Sequence, residues 1–197
     1  MRCVQRPPHP PHPTPPPFSF LNYNATNVPA NGTFPARMLW TYTNANVSGG
    51  GLLSPKCLAA HPGVEWLCMF AENLAPTLRT PTFALQSVFD SYQVGAILHA
   101  NANDTAAVNA YGALLRSRVH KALLSNKKNG AALDSCYHHC GAKSWTNIAF
   151  AGIDIDHTQG EAFAAWYGGA AACEGSQSVC EQQEAYPCEA CCTSPNP

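Results

Sequence analysis

Two short apolar runs, Thr82 to Phe89 and Ala131-Ala132-Leu133, stand on either side of one amphipathic helical pattern, and that order leaves few folds open. Between them, Thr105 to Leu124 carries Val108, Tyr111, Leu115, Val119 and Ala122 at three-to-four-residue spacing, the pattern of one buried helical face. Pro81 opens the first run, where a missing amide hydrogen costs least. Asn103-Asp104-Thr105 supplies a cap for the helix start, and Gly130 follows its end. Lys127-Lys128 then reads as a helix C-terminus before a glycine cap rather than as a phosphate site. The expected unit is strand, helix, strand in an α/β fold.

Each strand of this unit ends in chemistry. The first closes on Asp90, and the second leads into Asp134-Ser135-Cys136-Tyr137-His138-His139-Cys140. An acid at one strand end and a histidine just past the next can meet above a sheet, where the carboxylate fixes the tautomer and orientation of the imidazole. The order alone does not choose between His138 and His139. Further on, Trp145 to Ile153 is expected to be extended, and Thr158 to Tyr167 helical, packing Phe163 and Trp166.

The flanks differ in kind. Pro7 to Pro17 favours polyproline II geometry and carries only His9, His12 and Thr14 between prolines, so it forms no core and reads as a linker. Phe18 to Pro35 is polar and expected to be irregular, with ordered structure beginning near Ala36. Residues 1–35 are thus set apart as a Pro-rich segment, 36–172 as the α/β domain and 173–197 as a Cys-rich tail. Gly49-Gly50-Gly51 is a flexible turn, because neither a P-loop nor a dinucleotide fingerprint accompanies it. Cys57 and Cys68 invite a local disulfide. The tail, with Cys173, Cys180, Cys188, Cys191 and Cys192 among polar residues, has too few apolar groups to fold without cross-links.

A net charge of -1 with 12% charged residues excludes a nucleic-acid surface. Ten cysteines together with sequons at Asn24, Asn31, Asn46 and Asn103 point to an oxidising, secretory route and a protein that is extracellular or in a cell wall. No stretch is long enough for a membrane span. After Met1-Arg2-Cys3 comes proline instead of a signal peptide's apolar region, so this chain is expected to be part of a longer secreted protein. A rival use of Cys136, His138, His139 and Cys140 with Cys188 and Cys191 is a zinc site, although their spacing is not that of a finger.

Leu78-Arg79-Thr80-Pro81-Thr82-Phe83, continued by Phe89-Asp90-x-x-Gln93, then Ser135-Cys136-x-x-His139 and Trp145, resembles the pectin acetylesterase and Notum family of carboxylesterases. Trp166-Tyr167 and the Cys-rich end add to the likeness, which runs from about Met38 to Cys192. The resemblance implies the C-terminal half of an α/β-hydrolase fold, in which the triad runs Ser, then acid, then His. It implies Asp90 as triad acid and His139 as base, with His138 at a position the motif leaves open, and no cofactor. The implied substrates are acylated polysaccharide or acylated protein. The family's nucleophile sits in a Gly-Cys-Ser-Ala-Gly-Gly-type elbow after a glycine-rich oxyanion loop, and neither occurs here; Val47-Ser48-Gly49 is the nearest imitation. No nucleophile is therefore found, and the chain alone is expected to be inactive. The alternatives are an inactive secreted, disulfide-rich binding glycoprotein and the zinc module. Non-reducing mass spectrometry of secreted protein is expected to find the cysteines from Cys57 onward mostly paired; mostly free thiols or bound zinc would overturn the secretory reading.

Overall fold

The computed structural model describes residues 20–47, 49–51, 53–139, 149–150, 154–171, 173, 178–188 and 191. Helix α1 (Phe34–Asn44) starts at Thr33, whose hydroxyl accepts from the Ala36 amide, with Pro35 in the first turn where no amide hydrogen is needed. Helix α2 (Pro55–Ala60) repeats the device with Ser54 as cap. Short α3 (Ala71–Leu74) leads to strand β1 (Phe83–Ser87). Asp90 caps α4 (Ser91–Gln93), which runs on as a π-helical turn, Val94–Leu98. Helix α5 (Thr105–Ala122), capped by Asp104, crosses to β2 (Gly130–Asp134). Strands β3 (Ala149–Phe150) and β4 (Asp154–Thr158) pair antiparallel, and α6 (Gln159–Gly168) opens on a capping box between Thr158 and Glu161. Strand β5 (Val179–Glu181) closes the order.

The sheet runs β1-β2-β5 and is parallel throughout, with Phe83 opposite Gly130, Ser87 opposite Asp134 and Ala131 opposite Val179. The two-residue alternation of β2 divides the core. Ala131 and Leu133 join the cluster formed by Val108, Leu115 and Val119 of α5, whereas Ala132 joins Ala162 of α6 with Cys173 and Cys180. Both faces of β2 are thus covered, as a parallel strand requires. The five α5 residues singled out by spacing are all buried, each large one stabilising by roughly 1.5–3 kcal/mol on transfer from water. Tyr111 lies among them because its hydroxyl donates to Gln93 Oε1 at 2.9 Å.

Several expectations move. Packing begins before Ala36: Leu21, Ala25 and Phe34 are buried, and the Leu21 amide donates to Gln93 Oε1. The polar composition of that stretch hid its few anchoring residues. Gly130 does not cap the helix, which ends at Ala122; it opens β2, where a Cβ would lie 2.5 Å from the Phe83 ring and 2.6 Å from the Ser178 carbonyl. Lys127-Lys128 accordingly lies in the turn before that strand, not at a helix end. The extended segment expected over Trp145 to Ile153 is described only at β3, with its partner β4 beyond it; Pro7 to Pro17, Ser48, Cys140, Trp145 and Cys192 lie outside the described residues. The tail does more than hang from cross-links, since β5 is the sheet's third strand. Disulfides join Cys57 to Cys68, Cys173 to Cys180 and Cys188 to Cys191, and Cys136 is also disulfide-bonded.

Helix α5 reaches the sheet through Gly112, where a Cβ would come 2.4 Å from the Phe89 ring and 3.2 Å from the Val88 carbonyl. Alanine would gain up to about 1 kcal/mol of helix propensity, but moving buried Phe89 costs about 1–3 kcal/mol. Gly112→Ala is therefore expected to lower stability by about 1–2 kcal/mol in urea unfolding. An unchanged or raised midpoint would mean that Phe89 has room to yield.

Candidate active site

Parallel pairing carries β1 and β2 to the same edge of the sheet, so the turn leaving β1 packs against the loop leaving β2. The ladder continues past the strands: the Val88 amide donates to the Asp134 carbonyl at 2.9 Å, and the Ser91 amide to the His138 carbonyl at 3.1 Å. Ser87 adds a short hydrogen bond from its hydroxyl to the Cys136 carbonyl. The loop after β2 is therefore fastened to the turn after β1 at three successive points.

Within this frame Asp90 and His139 meet. His139 Nδ1 lies 2.9 Å from Asp90 Oδ1 and 2.8 Å from Oδ2. Asp90 is buried; Oδ1 also accepts the Gln93 amide at 2.9 Å, and Oδ2 the Gln86 side-chain amide at 3.4 Å. A carboxylate oxygen accepts, so this contact favours the tautomer with the imidazole proton on Nδ1. The other nitrogen, Nε2, is buried and makes no hydrogen bond among the described residues. Tyr92 stacks on the ring at 5.1 Å between centroids and Phe20 at 6.3 Å, and the two aromatic rings lie 5.6 Å from each other, so they pack together against the imidazole. Such a group can take a proton at Nε2 while the carboxylate balances the charge that develops.

His138 points elsewhere. Its Nε2 lies 3.0 Å from Asp134 Oδ1 and its Nδ1 3.2 Å from the His139 carbonyl, so neither nitrogen is available as a base. Burial alone would push this imidazole down, but the hydrogen bond to Asp134 and its charge, the His139 carbonyl and the charge of Asp90 outweigh it and raise the pKa above the ordinary histidine value. Sequence reasoning does not single out Asp134, nor its partner Gln159, whose side-chain amide donates to Oδ2, nor Gln182, which accepts the Ser135 amide. The four-residue spacing from Asp134 to His138 is the available signal; Gln159 and Gln182 reach the loop only through tertiary packing.

The described cysteines and histidines of the zinc reading each have another partner. Cys136 is in a disulfide, Cys188 is bonded to Cys191, and each histidine is committed to its own carboxylate. Cys57, His61 and Cys68 also gather within 4.8 Å, but the two sulfurs form a disulfide. Ser135 is fully buried, and its hydroxyl donates to the Gln182 carbonyl at 3.4 Å. The sequon residues Asn24, Asn31, Asn46 and Asn103 are all exposed.

Comparison with known proteins agrees with the motif order from which this geometry arises: the family model described as Pectinacetylesterase matches residues 37–193. The chain belongs to the pectinacetylesterase family. Pectin acetylesterase 7 of Arabidopsis thaliana is 31% identical, over 41% of this chain and 26% of its own length. Palmitoleoyl-protein carboxylesterase notum1a of Danio rerio is 38% identical, over 23% of this chain and 9% of its own. The structure of the Wnt deacylase Notum from Drosophila matches 87% of this chain and 46% of its own with a TM-score of 0.61 and 22% identity, a likeness of fold that places the sheet in the α/β-hydrolase type. The chain spans less than half the length of these relatives.

Asp90 is expected to govern the tautomer of His139. In Asp90→Asn the side-chain amide can donate where the carboxylate only accepted, which favours a proton on Nε2 instead of Nδ1. Long-range proton–nitrogen NMR of the histidine rings is expected to show this exchange at His139. Retention of the Nδ1–H form in the folded variant would mean that Asp90 does not set the tautomer.

Proposed function

We propose that this chain supplies the acid and the base of a serine carboxylesterase that removes acyl groups from esterified hydroxyls. The observation that carries the reading is the buried Asp90 bonded to His139 Nδ1 with Nε2 turned to no partner among the described residues. In the reaction His139 takes the proton of a serine hydroxyl as that oxygen attacks the ester carbonyl, then returns it to the leaving alcohol, and Asp90 stabilises the imidazolium between the two steps. The substrate class is an acylated polysaccharide or an acylated protein, in keeping with what the relatives' names describe. The disulfides and the exposed sequon asparagines support a secreted, glycosylated protein, and among the described residues no helix is long and apolar enough to cross a membrane.

No serine hydroxyl bonds to His139 among the described residues, which favours the second reading, a disulfide-rich binding glycoprotein without turnover. The two separate in one experiment. The chain is expressed through an oxidising secretory route and assayed on p-nitrophenyl acetate and acetylated pectin, alone and joined behind the nucleophile-bearing part of a pectin acetylesterase. Alone, it is expected to hydrolyse no faster than its His139→Ala variant, since a base needs a nucleophile and an oxyanion site. Joined, it is expected to turn over, with His139→Ala slower by about a thousandfold. A folded but inactive fusion would leave the binding reading; turnover by the chain alone would reveal a nucleophile within it, Ser48 being the first to substitute.

A further inference from the structure

His139 is not the sole histidine with a carboxylate of its own. Asp134, at the end of β2, is fully buried and surrounded by donors: the Cys136 amide at 3.0 Å and His138 Nε2 at 3.0 Å on Oδ1, and the Gln159 side-chain amide on Oδ2. The two amides can only donate, and between a carboxylate oxygen and an imidazole nitrogen the shared proton belongs on the more basic nitrogen, so Nε2 carries a proton. The second nitrogen of His138 faces the His139 carbonyl at 3.2 Å, and a carbonyl oxygen only accepts, so Nδ1 carries a proton as well. Two acceptors on one ring define an imidazolium.

We propose that His138 is a positioning residue, a charged latch whose ring ties the His139 backbone to Asp134 and releases it on deprotonation. The proposal gives a functional meaning to the loop through the reading of His139 as base, but the latch itself rests only on the contacts of His138. The groups facing that ring are Asp134 from β2, the neutral Gln159 beside Asp134 from α6, the Asp90 charge from the turn after β1, and His139 from its own loop. When the ring loses one proton, the buried carboxylate retains the remaining N–H, because the charge-assisted hydrogen bond is the stronger one. Nδ1 then turns a lone pair onto the His139 carbonyl, and an attraction becomes a repulsion. The imidazole of His139, whose Nδ1 sits 2.8–2.9 Å from Asp90, moves with its backbone.

The direction of the pH effect is set by the raised pKa of His138, in which the hydrogen bond to Asp134 and its charge outweigh burial. The latch is complete below the unfolded histidine value of about 6.5 and is lost as pH rises through the folded value. A loop that was merely structural would hold equally on both sides of that step.

The test reads the ring nitrogens of the full chain by long-range proton–nitrogen NMR across pH 5 to 9. Signals are assigned by their loss in His138→Gln and in His139→Ala. His138 is expected as an imidazolium with a midpoint above about 6.5, and the His139 ring signals are expected to shift in that same step. In Asp134→Asn, which keeps the shape, the His138 midpoint is expected to fall by about one unit or more, carrying the linked His139 transition with it. A neutral His138 at pH 6, or His139 signals indifferent to its titration, would overturn the latch. Should His138→Gln fail to fold, the wild-type titration and Asp134→Asn still decide the matter. Failure of the fusion to hydrolyse esters would touch the role of His139 and leave these nitrogen signals unaffected.

Discussion

The register between β1 and β2 is the constraint on which the rest of this structure depends. With Ser87 opposite Asp134, both strands end at one level, and the amide of Val88 extends the ladder one step beyond the strand. A slip by one residue would exchange the faces of Ala131, Ala132 and Leu133 and carry Leu133 out of the α5 cluster. It would also separate Asp90 from His139, since each stands a fixed number of residues beyond its strand. Core packing and site geometry are therefore held by one set of backbone hydrogen bonds.

Gln93 shows how the site and the core share residues. It is fully buried; its amide is capped by Asp90, and its side-chain oxygen accepts from Tyr111 in α5 and from the Leu21 amide of the N-terminal stretch. That stretch in turn brings Phe20 over His139. Removing such a buried acceptor would leave two donors unsatisfied at about 1–3 kcal/mol each. The F-D-x-x-Q segment thus combines a carboxylate aimed at the histidine with a glutamine that fastens three parts of the chain.

The cysteines of the tail and of the loop after β2 act on the side of the sheet away from α5 and around that loop. Cys173 and Cys180 pack with Ala132 and Ala162, and Cys188 and Cys191 pack with Cys136, whose amide is bonded to Asp134. Arg116 and His120 of α5 reach Glu181 of β5 from the other side. A short third strand with little apolar surface of its own is held by these neighbours as well as by its three backbone pairings with β2.

The sequence by itself determined the strand, helix, strand order, the buried face of α5 and the placing of an acid and a pair of histidines just past neighbouring strand ends. These are local patterns, period 2, period 3.6 and a fixed offset past a strand, and such periodicity survives without knowledge of distant contacts. It misplaced Gly130 as a helix cap, because a glycine required by the closeness of Phe83 and the Ser178 carbonyl is indistinguishable in sequence from one required by backbone conformation. It also left Phe18 to Pro35 and the tail outside the packed domain. Those segments are polar in composition, and their few anchors, Leu21, Phe34 and β5, are defined only by the surfaces they meet. Tertiary structure alone decided that His138 answers to Asp134 and His139 to Asp90: adjacent residues face different carboxylates because the loop between them is fastened to two strand ends, and no one-dimensional pattern encodes that direction.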